Sequence, residues 1–247
     1  NNNIIGMADG AYNGSMPFAF TGTTADKELT NRGNISVGDK SAVLYAKNNA
    51  GILNTGIIST GKNSAGLYGV NVTDVENSGT ITIGESSTGI YLKEGMLSGT
   101  LNTGKILSSA DFATGIASEY NGGSPALIKT INEITLTGNN VIGVYAAGSG
   151  VQNIENFGII EVGNSSDLTN PSIAIYNVNN GNSVLNMGTV KSGEKSLGIY
   201  NNGGTISEKG MLEIGNSGVG IYSDGGSVII DNTGSMKIGE KAAVGVY

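Results

Sequence analysis

Apolar side chains along this chain alternate with polar ones over short stretches, and each stretch stops at glycine or asparagine. Ile35 and Val37, Ile81 and Ile83, Ile134 and Leu136, Ile160 and Val162, Leu212 and Ile214, and Met236 and Ile238 each flank one polar residue. A spacing of two puts both on one face of a strand. A second stretch closes on tyrosine, with Ile, Val or Leu one residue before it and Thr88, Ile142, Ile173, Leu197, Val219 or Val244 three before. The alternation predicts that these two positions face inward, and that the intervening glycine and the tyrosine face outward, the ring lying across the glycine of the next turn. A third, weaker stretch is seen at Ile52 and Leu53 and at Val184 and Leu185. No window carries a sustained helical stripe, since glycine interrupts every candidate.

These stretches recur as one phrase, N-x-G-x-I-x-I-G, a polar turn, then S/T-x-G-I-Y, clearest from Asn77 to Tyr91. Closing tyrosines stand at 45, 68, 91, 145, 176, 200, 222 and 247, with Ala117 in the same place after Gly115 and Ile116. An earlier copy is expected to close at Gly6, Met7 and Ala8. Three short strands per basic unit of 22 to 24 residues predict an all-β chain: a single right-handed parallel β-helix of about 9–10 rungs. Residues 1–247 form one continuous segment on this reading. At the spacing of neighbouring strands the rod is roughly 43 Å long.

The repeated polar residues have structural tasks in such a stack. Asn31, Asn54, Asn77, Asn102, Asn156, Asn186 and Asn232, with Glu208 replacing the amide once, predict a ladder in which each side chain bonds the next. The glycine two residues on is expected to supply a positive φ. Lys62 is expected to lie between Asp39 and Glu85 of the adjacent rungs.

Composition narrows the chemistry. The 247 residues include 41 Gly and 3 Pro but no Cys, His or Trp. That removes disulfides, Cys/His metal sites and any triad built on imidazole or thiolate. The formal net charge is -7 without a basic stretch, so nucleic acid is not expected as a partner. Glu76, Glu155 and Asp231 recur before the ladder position but on rungs too far apart to share a substrate bond. No catalytic residue, cofactor or metal site is predicted. Asn1 to Gly10 has no signal-peptide pattern, and the chain reads as a slice of something longer.

Loop insertions near residues 9–27, 93–99, 118–129 and 164–172 break the repeat and hold all three prolines. The first and third share Tyr-Asn-Gly followed by Pro, which makes Tyr12, Phe18, Phe20, Tyr120 and Asn121 candidates for exposed aromatic patches that contact a partner. The alternative is that these loops cap the rod or fill its corners.

N-x-G-x-I-x-I-G-x-x-S-x-G-I-Y, as in Asn77 to Tyr91 and Asn186 to Tyr200, resembles the passenger repeats of large type V autotransporter adhesins, most closely those of fusobacteria. The resemblance covers the chain from about Leu29 to Tyr247 and is specific for architecture. It implies a non-enzymatic, monomeric β-helix displayed on the outer face of the outer membrane or secreted. Its signal and membrane-embedded C-terminal barrel are absent from this chain, and its partners are receptors, protein or glycan, on host cells or bacteria. Two other functions stay open, a carbohydrate-active β-helix enzyme and a mechanical spacer whose adhesive tip lies elsewhere.

Overall fold

The computed structural model describes residues 4–5, 18–21, 27–167 and 169–247. Its strands stack in parallel as a β-solenoid of about nine turns, and each turn lays one strand or half-strand on each of three faces. The isoleucine face is a nine-stranded sheet running from Asn34–Val37 to Ser235–Ile238. The tyrosine face includes Ala42–Lys47, Thr114–Tyr120, Ile142–Ala147 and Val219–Asp224. The asparagine face includes Lys27–Asn31, Ala126–Thr130, Gln152–Asn156 and Thr205–Glu208. Strands Ala65–Asn77 and Thr88–Asn102 run around the corner between the last two faces without a break.

Register explains why the apolar pattern suffices. Ile58 pairs with Ile81, Ile81 with Ile106, Ile106 with Ile134 and Ile134 with Ile160, all at most 1% exposed. Each isoleucine therefore rests on its own counterpart one turn away, and burying such a side chain contributes about 1.5–3 kcal/mol. The partner column mixes apolar and small polar residues; Ser108, which pairs with Leu136, donates from Oγ to the Ile83 carbonyl at 2.8 Å.

Several expectations are corrected by the backbone. The glycines of the N-x-G corner do not occupy positive φ; among the described glycines that conformation falls on Gly99, Gly148, Gly203, Gly225 and Gly226. Close approach requires them instead: a Cβ on Gly79 or Gly104 would lie 2.0 Å from the carbonyl oxygen of the corner glycine one turn earlier. Positive φ is found at another corner, between the isoleucine and tyrosine faces, on Lys40, Asn63, Ser86, Phe112, Asn140, Lys195, Ser217 and Lys241. An L-residue pays about 1–2 kcal/mol there. Rung-to-rung bonds offset that cost, Lys40 N donating to Lys62 O at 2.8 Å and Asn63 N to Glu85 O at 3.0 Å.

The first described turn also differs. Ala19 pairs with Tyr45, so the tyrosine position of that turn is Ala19, while residues 6–8 lie outside the described residues. Phe18 and Phe20 belong to strand Phe18–Thr21, in register with the buried Leu44 and Ala46, and are not loop residues. Lys93 to Gly99 is a bulged stretch of strand Thr88–Asn102 with two register shifts.

Gly79→Ala should lower stability by about 2–4 kcal/mol, because the added methyl meets backbone that cannot swing aside. Gly123→Ala, where a Cβ meets nothing within 4 Å, should be close to neutral. Urea unfolding followed by circular dichroism checks both; equal midpoints would remove the close-approach explanation.

Candidate functional site

The tyrosine row is the most regular feature of the outer surface. Tyr45, Tyr68 and Tyr91 meet edge-on or tilted with centroid separations of 5.3 and 5.0 Å, and Tyr145, Tyr176, Tyr200, Tyr222 and Tyr247 continue at 4.8 to 5.5 Å, the last two pairs stacked. From Tyr45 to Tyr222 the rings are half-buried and face outward, as expected. Each ring packs on the next ring and not across a glycine. The reason is register: Tyr pairs with Tyr at one rung's spacing, within the range where aromatic pairs attract. Ala117 interrupts the row, pairing with Tyr91 on one side and Tyr145 on the other. Burial, then the neighbouring Glu119 carboxylate, pushes the Tyr91 hydroxyl up to about 12.

The glycine before each aliphatic residue points inward, contrary to simple alternation. A Cβ on Gly89 would come 2.7 Å from Ile106 Cγ2, and one on Gly115 2.6 Å from Ile134 Cγ2. Val43 and Ala174 take the same position and belong to the core. The chain bends there, because this residue and the next both face inward. That leaves the residue three before the tyrosine outside, next to the ring.

On the first rungs that outer residue is small: Ala42, Ala65 and Thr88. Together with Tyr68, Tyr91 and the exposed corner residues Lys40, Asn63 and Ser86 they line an open groove of about 540 Å³. From Ile142 onward the same column holds Ile173, Leu197, Val219 and Val244.

The insert residues do not form one patch. Tyr12 lies outside the described residues. Tyr120 is 2% exposed, its hydroxyl donates to the Ser124 carbonyl, and its ring lies against Gly122 and Gly150. It plugs a corner of the core, which corrects the expectation of an exposed aromatic at this position. Asn121 is exposed, and its Oδ1 accepts from Ser149 N at 3.0 Å and Ser149 Oγ at 3.1 Å, tying one corner to the next.

The asparagine ladder is continuous from Asn31 through Asn54 and Asn77 to Asn102, each Nδ2 donating to the next Oδ1 at 2.8 Å, with every amide 0% exposed. Thr130 takes the following place, and Asn156 and Asn186 resume at 2.8 Å. Asn232 is not a member. Glu208 pairs with Ile230, and the corner after Ile230 is two residues longer than the one after Glu208.

Glu208 does occupy the row, fully buried. Its carboxylate accepts from Asn186 Nδ2 at 2.8 and 3.0 Å and from Gly210 N at 2.9 Å. Burial pushes its acid up to about 7 despite those bonds.

Sequence reading missed two further columns. Ser64 Oγ accepts from Ser41 N and Ser87 Oγ from Ser64 N, both at 3.0 Å, and this column is visible in the S-x-G-I-Y phrase. Asn177 donates to Asn201 at 2.7 Å and Asn201 to Ser223 at 3.2 Å just after the tyrosine, where the repeat shows no constant residue.

Surface charges pair along the axis. Lys62 Nζ lies 2.6 Å from Glu85, while Asp39 instead accepts the Lys62 backbone N–H at 2.8 Å. Lys105 with Glu133, Lys129 with Glu155 and Lys191 with Glu213 follow the strand register. Among the described residues no three acidic side chains cluster as metal ligands.

No family model, curated protein or solved structure matches the chain.

Glu208 makes stability depend on pH. A folded-state value above the ordinary 4.5 means the folded chain binds this proton more tightly, so the contribution of Glu208 to stability is fully present below pH 4.5 and is lost as pH rises through about 7. Glu208→Gln keeps the acceptor and removes the charge. It should raise stability at pH 8 by on the order of 2–3 kcal/mol and change little at pH 4. Denaturation at the two pH values checks this, and an equal effect at both would contradict a buried titrating carboxyl.

Proposed function

We propose that this chain is a stretch of a surface-displayed, autotransporter-type passenger, a non-enzymatic rod whose outer faces mediate adhesion to host cells, glycans or other bacteria. The observation that carries the reading is the tyrosine row, a column of half-exposed rings held at one rung's spacing. Loops are the usual place for recognition, but a rigid column offers repeated, pre-ordered contacts whose ordering entropy is spent on folding and not on binding. The absence of cysteine suits a passenger that must cross an outer membrane unfolded. Stacking lets such a rod assemble turn upon turn, since each turn finds a template in its neighbour.

Acid chemistry supports the non-enzymatic reading. Glycoside cleavage needs two carboxyl groups flanking one bond, one of them held protonated. Glu208 is the described carboxyl raised towards neutrality, and it is sealed inside the rod. Glu133, by contrast, is held below its ordinary value by the Lys105 ammonium.

A spacer role is favoured by one separate observation: Tyr120 and Asn121 spend their contacts on the rod's own corners. The two readings part in a direct test. The purified chain, labelled and offered to epithelial cells and to a glycan array, should bind saturably if it is adhesive. Failure to bind either, while a longer passenger containing it binds, would leave the spacer reading in its place.

A further inference from the structure

We propose that the groove beside Tyr68 and Tyr91 binds a carboxylated oligosaccharide lying along the rod axis, with an acid group at Lys40. This rests on the adhesive reading above and names the site and ligand class for it.

The groove exists because of three small residues. Ala42, Ala65 and Thr88 form its floor, and Ile142, Ile173, Leu197 and Val219 fill the same column further along the rod. Its two walls differ. One is the row of tyrosine rings, which offers faces and edges to sugar C–H groups. The other is the left-handed corner, where Lys40, Asn63 and Ser86 stand exposed at φ 56, 53 and 53. The backbone twist at that corner turns an ammonium, an amide and a hydroxyl outward, one per rung. An apolar floor, an aromatic wall and a polar rim suit the two-sided surface of a pyranose ring.

The repeat distance selects a chain ligand over a single ring. Tyr45, Tyr68 and Tyr91 are spaced at 5.3 and 5.0 Å, close to the advance per sugar in an extended glycan. A peptide is disfavoured here. Extended peptides are held by adding to a strand edge, and the strands under this groove are paired on both sides, Ala65 with Ala42 and with Thr88.

Charge supplies the acid. Lys62 is neutralised by Glu85 at 2.6 Å, and Asp39 is committed to the Lys62 backbone N–H. Lys40 makes no ion pair among the described residues, so the groove holds one ammonium that no carboxylate contacts directly. A uronate or sialate carboxylate is the group that completes it.

The whole chain is titrated by calorimetry with oligogalacturonates and sialylated lactosamines, and with uncharged cello- and malto-oligosaccharides. The acidic sugars should bind more tightly. The double variant A65L/T88I installs the bulk that Leu197 and Ile142 carry on later rungs, so the fold tolerates it, as an unchanged melting curve would verify. It should weaken binding about tenfold or more. Lys40→Gln should weaken the acidic sugars by a similar factor and leave the neutral ones alone. Undiminished binding by the filled variant, or displacement of the sugar by an unrelated extended peptide, overturns the proposal. Adhesion to cells without binding to any of these sugars sinks the groove assignment and leaves the adhesive function standing. No binding to either sinks both.

Discussion

In a parallel stack of identical turns, every side chain lies on its own counterpart about 4.8 Å above and below. A residue is therefore acceptable only if it tolerates contact with a copy of itself, or if its neighbours are changed to suit. Isoleucine and tyrosine meet the first condition through packing. Asparagine meets it through chemistry, because an amide has a donor at one end and an acceptor at the other and can pass a hydrogen bond along indefinitely. Charges fail it and must alternate, as Glu161, Lys191, Glu213 and Lys237 do in register. Glu208 shows the same rule at a ladder's end. A carboxylate accepts the bond from Asn186 but has no donor to hand on, and the next position is Ile230, which needs none.

Much of this was legible because the rule acts on residue type at a fixed period. The isoleucine column, the outward tyrosines, the buried amides and Ala117 in the tyrosine row all stand where the repeat puts them. What was not legible depends on three-dimensional shape. Alternation predicts that Gly89 faces outward beside Tyr91; it faces Ile106, because the strand bends there and two successive residues turn inward. The corner glycines looked like conformational glycines, since a pattern of letters cannot tell a positive φ from a carbonyl at 2.0 Å. Asn232 fits the N-x-G phrase yet misses the ladder, because two extra residues in its corner displace it. Tyr120 read as an exposed loop aromatic; the empty space over Gly122 and Gly150 draws its ring inside. The groove was invisible for a related reason. Alternation alone turns its floor residues inward, and only the bend at the glycine sets them beside the tyrosine rings.

Burial in this architecture belongs to pairs of turns and not to single turns. Glu208 and Ile214 are 0% and 5% exposed with a neighbour on each side, while their register partners Ile230 and Ile238 on the last described turn are 49% and 45% exposed. The residue types are as apolar or more so; what differs is that the described residues place a turn on one side of them only. A turn by itself cannot offset the entropy of ordering its residues, so stability accumulates turn by turn along the stack. Gly79→Ala disturbs such an interface directly, since the added methyl meets the backbone of Thr55 and Gly56 on the turn before.

The division between inside and outside then decides where function can vary. Inner columns are bound by contact with the same position on the turns either side, so a change there is felt by both neighbours. The column three before the tyrosine lies outside the bend, beside the rings, and is held by strands paired on both sides. Small residues there open a groove; large ones close it, with no demand on the interior. A site made this way has a length set in whole rungs and a repeat set by strand spacing. Specificity follows from that geometry, since a ligand whose own units advance by nearly the same distance gains a contact at each rung, whereas one with a different period gains a single contact and then drifts out of step.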